Sequence, residues 1–86
     1  MLYDVFDKFL AVSTWHTRHP SDEQRFFTVL ASVVKDPRFN PDELGEYFRQ
    51  KKAVSRDDES NFFKVAIDDY VAKAWAVKDY LKANGL

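Results

Sequence analysis

Cysteine is absent from this 86-residue chain, glycine occurs twice and proline three times. Without thiols there are no disulfide staples, thiolate zinc sites, iron–sulfur ligation or cysteine catalysis. Few glycines and prolines argue against an all-β chain built on many tight turns. They also leave no phosphate-cradling loop, since Gly45 falls inside a helical pattern and Gly85 at the end of one. Long apolar runs are missing too. None exceeds four residues, the length of Phe9 to Val12, far short of the ~20 residues that span a bilayer. The start, Met1-Leu2-Tyr3-Asp4, has no basic, apolar leader character. A cytoplasmic location without membrane contact is the resulting expectation.

What the chain does have is aromatic side chains and balanced charge. Eight Phe, four Tyr and two Trp make 16% of residues, and 13 Lys+Arg against 14 Asp+Glu give a net charge of −1. A chain this short buries only ~60% of its unfolded surface, so rings that bury ~150–250 Å² each compensate for size. The length suits one domain, residues 1–86.

Helical periodicity runs throughout. Residues 2–16 place Leu2, Val5, Phe6, Phe9, Leu10 and Val12 on one side. Pro20 breaks that pattern, and Ser21 with Gln24 reads as a capping box for a second helix over about 22–35. Asn40-Pro41-Asp42-Glu43 is a helix start: cap, proline at the first position, acids in the first turn. It opens a third helix over 41–52, with Leu44, Tyr47 and Phe48 inward. Ser55 with Asp58 reads as the cap of a last helix over 56–83. There Phe63, Ile67, Tyr70, Ala74, Val77 and Leu81 recur at spacings of 4, 3, 4, 3 and 4. The expectation is an all-α, four-helix bundle-like domain. At 1.5 Å per residue the last helix would be ~42 Å long, against a diameter of about 31 Å for a spherical 86-residue globule. It must bend, lengthen the bundle or project.

Reactive constellations are scarce. His16 and His19 are three apart beside a proline, with no carboxylate in metal-site spacing. Residues 36–42 resemble a calcium loop in their alternating oxygen side chains. Arg38, Pro41 and Tyr47 nevertheless occupy places where such a loop needs a ligand, a turn glycine and a bidentate glutamate. Asp57-Asp58-Glu59 and Asp68-Asp69 are sequence neighbours that point in different directions around a helix. No nucleophile motif is present. No cofactor, no metal and no enzymatic activity are therefore expected.

Two binding surfaces stand out. Val65, Ala72 and Ala76 form a second stripe on the last helix, and Val71 and Trp75 flank the main seam. A helix apolar on more than one face is usually covered on more than one face. On a helical wheel Trp15, like Trp75, lies ~120° from its core stripe. These residues, Trp15, Val71, Ala72, Trp75 and Ala76, are the expected interface with another protein or a second copy. The alternative is DNA contact in a helix-turn-helix manner by Arg49, Lys51, Lys52 and Arg56. Against it stand Asp42 and Glu43 at the start of the would-be recognition helix, and a chain that is not basic. A small ligand held between aromatic-rich helices is a third reading.

Overall fold

The computed structural model describes residues 2–54 and 62–85. Among them lie a short 3-10 helix, Leu2–Phe6, and four α-helices: α1 (Asp7–Val12), α2 (Pro20–Val33), α3 (Pro41–Lys52) and α4 (Phe62–Ala83). No described residue is in a strand. The fold is a small all-α domain, as its periodicity implies.

The first helix is where sequence and structure part. It ends at Val12 rather than residue 16, with Ser13 extended at φ −68° and ψ 139°. A buried carboxylate explains the early stop. Asp22, with no exposed surface, accepts hydrogen bonds from the Thr14 amide (3.2 and 3.3 Å), the Thr14 hydroxyl and the His16 amide (3.2 Å). Those amides therefore bond to Asp22 instead of continuing the α1 ladder. Trp15 takes the left-handed backbone conformation, φ 63°, and its amide is held by Ser13 Oγ at 2.9 Å. The 3-10 opening also rotates the expected face, so Val5 and Val12 point outward, each 47% exposed.

Helix α2 begins two residues before the expected start. Its cap is His19, whose Nδ1 accepts from the Ser21 amide at 3.2 Å, with Pro20 at the first position. The Ser21–Gln24 box is therefore not the cap. Helix α3 has the expected bounds: Asn40 Oδ1 accepts from the Asp42 amide at 2.8 Å, and Ala53 closes the helix at φ 53°. The α4 expectation holds from residue 62 to 83. Residues 56–61 and the Ser55–Asp58 cap lie outside the described residues.

Aromatic rings form the centre. Phe26 stacks obliquely on Tyr70 with centroids 4.6 Å apart, Phe9 meets Tyr70 edge-on at 5.3 Å, and Phe6 meets Phe48 at 5.5 Å. Ile67, Tyr70 and Ala74 of the α4 seam are completely buried. Burial pushes the Tyr70 phenol up to about 12, partly opposed by Ser13 and reinforced by the Asp22 and Asp69 charges. The molecule measures 39 × 25 × 22 Å. The 22 residues of α4, roughly 33 Å long at helical rise, fit along the long axis, so the bundle is elongated to match.

The α3–α4 pairing positions the outer surface. A Cβ on Gly45 would lie 2.7 Å from Val71 Cγ2, so glycine permits the close helix contact. Trp75 Nε1 donates to Asp42 Oδ1 at 2.9 Å, and Lys78 Nζ donates to the Phe39 carbonyl at 2.6 Å.

Candidate functional site

Of the five residues expected at an interface, three are engaged within the chain. Trp15 is the clearest correction: it is 4% exposed. Its ring lies 5.6 Å from Phe63 and 6.0 Å from both Phe9 and Phe48, with Lys52 Nζ 5.0 Å from its centroid. The wheel that put it on the rim assumed a helix through residue 16. The left-handed turn instead brings the ring inward, where Nε1 is buried with no hydrogen-bond partner among the described residues. Trp75 is half-buried, bonded to Asp42 and covered by Lys78 at 5.6 Å. Val71 is half-buried against Gly45. These two side chains fasten α4 to the start and middle of α3.

Ala72 and Ala76 are exposed, and Val65, on the same stripe, is 64% exposed. Around them the structure draws a second line along α4: Val65, Asp69, Ala72, Ala76, Asp79 and Ala83, again spaced 4, 3, 4, 3 and 4. At 100° per residue all six fall within about 40° of one line, opposite the buried seam. Asp79, Ala83 and the adjoining Tyr80, 63% exposed, were not singled out by sequence. The periodicity could have found them, because both seams use the same spacing.

Asp69 is the acid on this face whose surroundings act on its carboxyl. Burial raises the Asp69 carboxyl, but hydrogen bonds from Lys73 and Thr17 outweigh it and hold the group below the usual carboxylate range. Lys73 Nζ lies 3.0 Å from Asp69 Oδ2. Asp68, at the edge, is shared between Arg49 at 2.9 Å and Lys64 at 3.3 Å. The outcome is a narrow line of small apolar side chains interrupted by Asp69 and Asp79.

The basic residues considered for DNA are arranged differently. Arg49 bridges Glu46 (3.0 Å) and Asp68 (2.9 Å). Lys51 lies over the Tyr47 ring at 5.3 Å, and Lys52 over Trp15 and Phe63 at 5.0 and 5.6 Å. Arg56 lies outside the described residues. Three of the four cations thus also contact this chain's own acids and rings.

Several other polar groups bond within the chain as well. His16 and His19 have ring centroids 6.4 Å apart, with His19 occupied as the α2 cap. Among the described residues, no three or more of His, Asp and Glu form a group that could hold a metal. Asp36, in the calcium-like segment, is claimed by Arg38, whose side-chain and backbone hydrogen bonds pull its carboxyl down to about 2. Two phenols tie the N-terminal segment to α3: Tyr3 donates to Glu43 at 2.8 Å, and Tyr47 donates to Asp7. Burial raises the Tyr47 phenol, and the neighbouring Asp7 and Asp4 raise it further.

No protein-family model, curated protein or solved structure matches this chain.

Proposed function

We propose that this protein is a non-enzymatic interaction module whose outer α4 face receives a basic helix from a different protein. The observation that carries the reading is the second seam itself, on which Val65, Ala72, Ala76, Asp79 and Ala83 are exposed and Asp69 is half-buried. Alanines four apart at 72 and 76 let a partner backbone approach at the short end of the 8–10 Å range for packed helices. Val65 and Tyr80 supply exposed apolar surface near the two ends.

Charge selects the partner. An antiparallel self-pairing centred between Ala72 and Ala76 would set Asp69 against Asp79, and an in-register parallel pairing would set each acid against its own copy. Like charges opposed across an interface are unfavourable and discriminate against that partner. A helix with small residues facing Ala72 and Ala76, and Lys or Arg facing Asp69 and Asp79, meets neither penalty. A face roughly 33 Å long is a single-helix contact, small beside a standard interface of ~800 Å² per partner, so the complex is reversible. The reading carries with it a cytoplasmic location. Among the described residues no helix is long and apolar enough to cross a membrane.

The test is affinity capture with three baits: the wild-type chain, Ala72→Arg, and Gln50→Arg as an exposed charge control on α3. The expected partner is held by wild type and Gln50→Arg, lost with Ala72→Arg, and bound through a basic helix. Equal capture by all three folded baits would remove the α4 face from the account.

A further inference from the structure

A separate concavity lies on the opposite helix pair. Lys8, Phe9 and Val12 of α1, with Ser21, Gln24, Arg25, Thr28 and Val29 of α2, line an open groove of about 400 Å³, within the 300–1,000 Å³ range of small-molecule sites. We infer that this groove binds a small amphipathic carboxylate, its apolar tail against Phe9, Val12 and Val29 and its carboxylate between Lys8 and Arg25.

Three observations support this. The first is charge: both ionisable residues lining the groove are cationic, in a chain whose net charge is −1. The second is that those cations are little used. Lys8 has no hydrogen bond or ion pair among the described residues. Arg25 makes a long 3.4 Å contact with Asp22, and its side chain is 50% exposed. The bond capacity of Asp22 is meanwhile met by Thr14 and His16, so the rest of the Arg25 fork is free to grip a carboxylate. The third is the apolar lip. Val12 is 47% exposed because α1 begins as a 3-10 helix and stops early, which turns this side chain from the core towards the groove. An apolar surface with a few placed polar groups is the usual composition of a ligand site.

The occupant is a small molecule because the groove is bounded by one and a half turns of α1, too short a wall for a docked helix. Phosphate or acetate alone would leave the Val12–Val29 surface wet. A neutral alcohol would leave the cations unanswered. The inference is independent of the α4 face, which shares no residue with the groove.

The experiment is a two-dimensional 15N–1H NMR titration with octanoate, run beside acetate and 1-hexanol. Octanoate is expected to shift amides of residues 8–12 and 21–29 saturably, with a Kd on the order of 1 mM, a modest efficiency for ten heavy atoms. Acetate and hexanol should each bind more weakly. Lys8→Gln should weaken octanoate about fivefold, as expected for one exposed charge contact, and Val12→Asp should abolish saturation. Both positions are exposed, and each variant's native spectrum checks its fold. Non-saturating shifts, shifts centred outside the groove, or unchanged octanoate affinity in both folded variants would overturn the assignment.

Discussion

Gly45 of α3 faces Val71 of α4 so closely that the missing Cβ would sit 2.7 Å from Val71 Cγ2. In an isolated helix Gly→Ala gains up to ~1 kcal/mol. Here the added methyl meets a short, β-branched side chain that cannot swing away, and overpacking costs ~1–3 kcal/mol. Gly45→Ala is therefore expected to lower stability by about 1 kcal/mol. In a Val71→Ala background the same change should be neutral or stabilising, as the clash partner is gone. Denaturant unfolding of the four proteins checks this. Stabilisation by Gly45→Ala in both backgrounds would show that the helices are not pressed together there.

Asp22 organises residues 14–16 from within the protein. Asp22→Ala would strand the Thr14 and His16 amides, at a cost of about 3 kcal/mol in thermal or chemical unfolding. Burial raises the Asp22 carboxyl, but hydrogen bonds from Thr14 and His16 and the nearby His19 leave it below the usual value. A carboxyl depressed in the folded state adds stability that is fully present above its unfolded value, near pH 4. That contribution is lost as pH falls through the folded value. Asp22→Asn should therefore be less stable at pH 7 and lose less on acidification than wild type. Parallel stability–pH curves would contradict that role.

The two tryptophans make opposite predictions. Trp15 is 4% exposed in a cage of rings, and Trp75 is half-buried at the α3 start. In Trp75→Phe the remaining indole should resist acrylamide quenching, whereas in Trp15→Phe it should be quenched readily. Trp15→Ala should cost about 3–5 kcal/mol, the range for deleting a buried large aromatic. Trp75→Ala should cost far less. Equal quenching in the two single-tryptophan proteins would place Trp15 outside the core.

Local signals were legible where they sufficed. Asn40-Pro41 fixes the start of α3 because cap and proline act on adjacent backbone, and the 4-3-4-3 seam of α4 is buried as its period requires. The outer stripe of Val65, Ala72 and Ala76 was visible by the same arithmetic. The end of α1 was not, because the groups drawing Thr14 and His16 out of the helix belong to a residue six to eight positions away. Trp15 was misplaced for that reason. The partners of Trp75 and Lys78 are 33 and 39 residues distant, pairings that no helical wheel contains.

The central claim, that the outer α4 face is closed to its own copy and open to a basic one, has a direct measurement. Sedimentation velocity would be run on wild type, on Asp69→Lys/Asp79→Lys, and on their equimolar mixture at low salt. Each protein alone is predicted to sediment as a monomer. The mixture should form a heterodimer that salt dissociates, since lysines then oppose the wild-type acids in either helix orientation. Wild type dimerising on its own, or a mixture of folded proteins that remains monomeric, would contradict the account.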